Sequence, residues 1–267
     1  MKTTGIAILF LLLSHFAMTQ CDVVNNAFSR GEYFDLDIMY NWGPIWVNAG
    51  TVYFKVDSTY DNKSVFHFKS YGRTLDSWDW FMKVRDLYES YALEKQLKSI
   101  YYFRKIIEGN KVIFNRYRFD YNSMKIYSSL YYSDEGEKQD TLDIKQCTFD
   151  PLTAIYYART IDYNNAAINQ KFPIRILIDN EIHDLYIRYL GKEDIEDRKG
   201  NSYHCIKFTI KMVEGTIFSG GEDITVWVSD DKNKIPILVK AEIIVGSIKA
   251  YLNHYQGLKN PFDAKIN

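Results

Sequence analysis

The chain has 267 residues, 46% of them hydrophobic and 25% charged, and its 33 lysines and arginines nearly balance its 34 aspartates and glutamates for a net charge of −1. That balance carries no electrostatic footprint for an anionic partner, so nucleic acid is not expected among its ligands. With 22 tyrosines, 16 phenylalanines and 5 tryptophans against 14 glycines and 5 prolines, the composition favours strands, on whose pleated surface aromatic side chains pack well.

In chain order, the first segment is MKTTGIAILFLLLSHFAMTQC. One early lysine, an apolar run from Ile6 to Leu13 and small or polar residues after it have the layout of a secretory signal peptide, assigned to residues 1–20. The expectation is export to the periplasm or cell envelope. Cys21 stands where a lipoprotein carries its acylated cysteine, although Gln20 replaces the small residue usual before it; lipid anchoring at Cys21 is the alternative. After this segment no window approaches the ~20 apolar residues that a spanning helix needs, and residues 21–267 read as a single β-rich domain, with two lobes joined near 150–163 as a variant of that reading.

Period-two alternation then dominates. Phe34, Leu36 and Ile38 alternate with Asp35, Asp37 and Met39, and Val52, Phe54 and Val56 with Tyr53, Lys55 and Asp57. The stretch MKVRDLYESYALEKQL fits neither helix nor strand cleanly, and both remain open there. In TFDPLTAIYYART, Asp150 can cap and Pro151 suits the first helical position; the spacing of Leu152, Ile155, Tyr156 and Arg159 predicts a short helix from Pro151 to about Ile161. Alternation resumes over KFPIRILID and over Ile206, Phe208, Ile210 and Met212, with Cys205 and its parity mates on the polar side. Ile224–Ser229 and Ile237–Ile243 form two more runs around SDDKNKIP, where Asp230 and Asp231 read as turn residues and Pro236 as a strand start. At Gly246-Ser247 the apolar parity flips; a two-residue hairpin pairing Val245 with Ile248, Ile243 with Ala250 and Ala241 with Leu252 is favoured over a bulge.

Turn signals at short intervals, such as Glu108-Gly109-Asn110 and Asp179-Asn180, imply antiparallel hairpins, because parallel connections need a dozen or more residues. The fold expected is all-β and mainly antiparallel: a large curved sheet, half-barrel or barrel-like sandwich of about a dozen strands with one short helix near the middle.

Together, TFDPLTAIYYART, ITVWVSDDKNKIPILVKAEIIVGSIKAYL and the early GEYFDLDIMYNWGPIWVNAGTVYFKV resemble a bacterial envelope family called domain of unknown function 3108. The resemblance runs from about Gly31 to Leu252. It implies export and a β-rich fold, but no reaction and no catalytic residues.

No catalytic motif emerges from the residues themselves. There is no G-x-S-x-G elbow, His67, His183, His204 and His254 form no H-x-x-x-H pair, and His204 shares a face with Ile206. No metal and no cofactor are expected. Cys147 and Cys205 are a candidate disulfide in an oxidising compartment. Asp76, Asp79, Asp86 and Glu89 lie among aromatics, a pattern shared with glycosidase subsites, where two carboxylates must converge. Trp42, Trp46, Trp78 and Trp80 are the candidate ligand-binding residues, at a lip or end of the sheet. The function expected is non-enzymatic binding or escort of a lipid-like, apolar or amphipathic envelope component on the concave face. A structural module that binds an outer-membrane or other envelope protein is the alternative, and a glycan hydrolase is a third reading.

Overall fold

A computed structural model describes residues 23–42, 45–58, 64–213, 221–243 and 246–266, without the side chains of Trp42, Ser58 and Asp223. The leader segment and Cys21 lie outside the described residues. The chain first lays down β1 (Tyr33–Trp42), β2 (Ile45–Ser58), β3 (Val65–Thr74), β4 (Arg85–Leu93), β5 (Ser99–Glu108), β6 (Lys111–Asp120), β7 (Lys125–Tyr132) and β8 (Gly136–Asp143). A two-residue strand β9 (Thr148–Phe149) leads into helix α1 (Pro151–Ala158). Then follow β10 (Lys171–Ile178), β11 (Glu181–Glu196), β12 (Ser202–Met212), β13 (Gly221–Ser229), β14 (Pro236–Glu242) and β15 (Ser247–Gln256).

All fifteen strands belong to one open, curved sheet in the order β8-β7-β6-β5-β4-β3-β2-β1-β15-β14-β13-β12-β11-β10-β9. Two meanders are therefore joined through the pairing of the first strand with the last. Every pair is antiparallel except β9 with β10, as short turns require. The Asp179-Asn180 turn has both residues at positive φ, 48° and 66°, with Ile178 facing Glu181 across it; asparagine and aspartate tolerate this conformation, which suits the twist of a two-residue hairpin.

The ambiguous stretch after Met82 is strand, not helix: β4 pairs with both β3 and β5, and tertiary pairing overrides local propensity. Helix α1 stops at Ala158, three residues earlier than its sequence pattern. The last two strands do form a hairpin, but with Ala241 opposite Ile248 and Val239 opposite Ala250. The parity argument holds, while the connection is longer than two residues, and Val245 lies outside the described residues. In β1 the alternation breaks between Ile38 and Met39, where the register with β2 shifts and Met39 turns inward to 5% exposure. Opposite Ile38 stands Gly50, where a Cβ would sit 2.3 Å from the Arg73 carbonyl oxygen.

Alternate residues of β2–β7 face a core that includes Phe66, Phe68, Tyr102, Tyr117 and Ile126, and α1 fills this concave side with Leu152 and Tyr156. The β10–β11 turn closes it further: Asp179 pairs with Arg104, the Ser128 hydroxyl donates to Asn180 Oδ1, and the Asn180 N–H donates to the Tyr117 hydroxyl. Helix and turn thus occupy the middle of the concave side, while a cavity of about 790 Å³ lined by Phe28, Phe66, Arg30 and Leu93 remains at its end. The second half has apolar contacts on both faces of β12. Ile206 and Phe208 pack with Tyr163, while Tyr203 and Cys205 pack with Trp227 and with Phe262 of the C-terminal segment.

Candidate functional site

One end of the sheet gathers exposed apolar side chains. The β3–β4 connection is pinned beside β2 by the Leu75 N–H to the Ala49 carbonyl at 2.9 Å and by the Trp78 indole N–H to the Asn48 carbonyl, also at 2.9 Å. Arg85 holds Asp79 at 2.6 Å and Asp76 at 3.2 Å, and Thr74 donates to Asp79 at 2.8 Å. The connection presents Trp80, Phe81 and Met82 at 76%, 52% and 54% exposure. At the same end of the sheet, β2 begins with exposed Ile45 and Trp46, and the Lys249 ammonium lies 4.2 Å from the centre of the Trp46 ring. Apolar groups clustered this way mark an interaction surface, whereas scattered ones need no explanation. Of the sequence candidates, Trp46 and Trp80 stand on this rim, Trp78 is a half-buried strut, and the side chain of Trp42 lies outside the described residues. Ile45, Phe81 and Met82 were missed; the signal was the unbroken run Trp80-Phe81-Met82, which no alternating strand can bury.

The concave side of β4–β6 holds a second, polar cluster. Asp86 accepts one long hydrogen bond, from the Ile107 N–H at 3.2 Å. Burial, and then the neighbouring Glu108 charge, push its carboxyl up to about 7. Burial likewise raises the Tyr88 and Tyr102 hydroxyls. The Tyr102 hydroxyl, Arg104 Nε and Asn115 Oδ1 are buried without a protein partner.

A third polar cluster is fully engaged. Arg159 at the end of α1 donates to both oxygens of Glu32, at 2.6 and 2.8 Å, and to the Asn233 carbonyl. Its guanidinium lies within 5.3 to 5.6 Å of the ring centres of Phe28, Tyr156 and Phe34. Asn233 in turn donates to the Asn260 and Pro261 carbonyls. At the other end of the helix, buried Asp150 accepts from the Thr153 N–H and from the hydroxyls of Ser90, Ser99 and Thr153; burial raises its carboxyl above the usual range, and these donors oppose the rise.

Compared with known proteins, the chain matches the family described as "Protein of unknown function (DUF3108)" over residues 36–253. The chain belongs to this family. No curated protein matches it. Among solved structures it is similar to a crystal structure of a beta-barrel-like protein of domain of unknown function DUF1849 from Brucella abortus. The likeness has a TM-score of 0.53 at 8% identity and covers 84% of this chain and 96% of that one. At such identity it shows a shared fold alone.

Most stretches that carried the resemblance to DUF3108 build the engaged cluster. Asp231 accepts from the Ser229 hydroxyl and from the N–H groups of Asn233 and Lys234, and Asp230 pairs with Lys192 at 2.7 Å. This acidic pair is a corner, and it delivers Asn233 to Arg159. The proposed Cys147–Cys205 bridge is overturned: Cys205 is a free, buried thiol. Its polar parity misled because the C-terminal segment covers that side of β12; the same burial pushes the thiol up to about 12. Cys147 is disulfide-bonded, with a partner outside the described residues. Parity with Ile206 suggests a partly buried, satisfied imidazole at His204; the ring is instead exposed and 2.7 Å from Asp194.

The four carboxylates weighed for glycoside chemistry do not converge. Asp76 and Asp79 are locked to Arg85 in the β3–β4 connection. Asp86 and Glu89, three apart on β4, point to opposite faces, and Glu89 is held by Lys69 at 2.8 Å. Among the described residues no group of three metal-ligating side chains occurs, and no helix is long and apolar enough to cross a membrane.

Proposed function

We propose that this protein is a non-catalytic binding protein of the bacterial cell envelope, exported by its N-terminal segment, that engages an amphipathic, lipid-like component through the aromatic rim. The observation that carries this reading is the exposed group Trp80, Phe81 and Met82, held out on a connection pinned to β2, with Ile45 and Trp46 at the same end of the sheet. Tryptophan and lysine together, as at Trp46 and Lys249, suit the boundary between acyl chains and water, where amphipathic rings and long cationic side chains both settle.

A protein partner bound by strand addition is less well supported, because both sheet edges are blunted. Edge strand β8 is a run of exposed Glu, Lys, Gln and Asp, and β10 carries exposed Pro173 on the other side.

Flotation with phosphatidylcholine vesicles tests the rim without help from lipid charge. The full chain is expected to float, and the Trp80→Ser/Phe81→Ser/Met82→Ser variant to lose at least fivefold in bound fraction at unchanged secondary structure. Failure of the native chain to float, or equal flotation of the variant, refutes the reading.

A further inference from the structure

The sequence holds three cysteines, Cys21, Cys147 and Cys205. Cys205 is a free thiol, 1% exposed, that packs with Trp227 under the C-terminal segment. Cys147 is disulfide-bonded. Within one chain that leaves a single sulfur as its partner, the sulfur of Cys21.

The described residues next to both cysteines belong to one core. Cys147 packs against the cluster that includes Phe66, Tyr117 and Leu152, and so does Val23, two residues after Cys21. Two residues of chain reach at most about 7 Å. Both positions also stand at the end of the sheet that carries the β4–β5 turn. Val23 and Val24 line the cavity there with Leu93 and Gln96, while Ser99 on the far side of the turn donates to Asp150, three residues after Cys147. Past Val24 the segment is fastened. Asn25 accepts from the Ala27 and Phe28 N–H groups at 3.0 and 3.2 Å, Lys259 and Asn260 donate to the Asn25 and Asn26 carbonyls at 2.8 Å, and the ring centre of buried Phe28 lies 5.0 Å from that of Tyr156.

The other cysteine sits in an equally fixed turn. The Thr148 N–H and hydroxyl both donate to the Lys145 carbonyl, at 3.3 and 2.8 Å, and Arg175 donates to the Gln146 carbonyl at 2.7 Å. Cys147 itself has a φ of 62°. A cysteine in the left-handed region is uncommon and is kept there by fixed surroundings.

We infer that Cys21 and Cys147 form a disulfide that staples the N-terminal segment to the turn before α1, and that Cys21 is a cross-link site instead of an acyl anchor. This rests on the reading that the chain is exported, because such bonds persist in oxidising compartments. The oxidant is an exchangeable disulfide, of an oxidoreductase or of oxidised glutathione. One cysteine thiolate attacks it and releases one acceptor thiol; the second attacks the resulting mixed disulfide at the first cysteine's sulfur and releases the other, so two electrons and two protons leave with the acceptor. A lipoprotein anchor is a thioether on the same sulfur, so bridge and anchor exclude each other. The bridge also holds in place the cavity wall made by Val23 and Val24.

Each cysteine lies on its own tryptic peptide, ending at Arg30, Arg159 and Lys207. The full chain is refolded from the reduced, unfolded state in a glutathione redox buffer, alkylated, and digested without reductant; the same mapping is made on protein from the envelope fraction of a bacterial host. Both samples are expected to give a Cys21–Cys147 peptide pair with Cys205 unbridged. Pairing after refolding, together with a retained leader and reduced thiols in the host, overturns the export reading and upholds the pairing. A bond at Cys205, a cross-link between two copies, unbridged Cys21 and Cys147 after refolding, or a diacylglyceryl mass on Cys21 overturns the inference. Cys21→Ser and Cys147→Ser are each expected to lower the thermal midpoint by roughly 5–15 °C, and the double variant by no more than the larger single loss, since both remove one bond. Additive losses also overturn it.

Discussion

The Arg159 cluster and the Arg104 cluster place the same chemistry, a buried guanidinium among tyrosines and a carboxylate, in opposite states of completion. Arg159 spends every nitrogen, on both oxygens of Glu32 and on the Asn233 carbonyl. Arg104 pairs with Asp179 but leaves Nε buried and unbonded, next to the orphan hydroxyl of Tyr102 and the orphan oxygen of Asn115. A buried polar group is costly only while unpaired. The first cluster therefore ties together the strand that starts the sheet, the helix and the C-terminal segment, whereas the second is a place where the fold tolerates unmet demand.

The largest test breaks the engaged cluster. Glu32→Ala leaves the Arg159 charge buried and alone, and is expected to lower unfolding free energy by about 3–5 kcal/mol in urea titrations. Replacing both members, by Glu32→Leu and Arg159→Met, should cost clearly less than the single change, because no orphan charge remains. Next comes Asp150→Ala, which removes the helix cap and the acceptor shared by the Ser90, Ser99 and Thr153 hydroxyls; the expected loss is about 2–3 kcal/mol.

The open cluster should respond in the other direction. The Asp86 carboxyl is raised from 3.8 to about 7, so between those values the folded state holds a proton that the unfolded chain releases. Stability then falls as pH rises through this window. After discounting for its partial exposure, Asp86→Asn should stabilise the protein by roughly 1–2 kcal/mol at pH 8 and have little effect at pH 4. A variant no more stable at pH 8 would show that Asp86 has a partner in solution. The smallest expected effect is that of Tyr102→Phe, which deletes an unbonded hydroxyl and should change stability by less than about 0.5 kcal/mol. A loss above 1 kcal/mol would place a bound water or ligand on that oxygen.

Local chemistry was legible in the sequence where it is local in space. The Asp150-Pro151 helix start, the Asp230-Asp231 corner and the long antiparallel meander all follow from neighbours in the chain. The partners of Asp150 did not, because Ser90 and Ser99 arrive from strands more than fifty residues earlier and read as ordinary serines. Parity failed where a second layer covers the nominally wet side, as at Cys205, or where a bulge turns the strand over, as at Met39. The rim was half legible: tryptophans drew attention, but that Trp78 is a strut depends on the Asn48 carbonyl, thirty residues away.

The pairing of Tyr33 with Gln256 has a consequence for folding. Every other adjacent strand pair is close in sequence, so each meander can form from low-separation contacts, and the loop-closure entropy of the whole sheet concentrates in one ladder, β1 with β15. The strand order is one circular permutation away from strict chain order. Joining the ends beyond β1 and β15 and reopening the chain between β8 and β9 would give a protein whose strands lie in space in the order in which they are made.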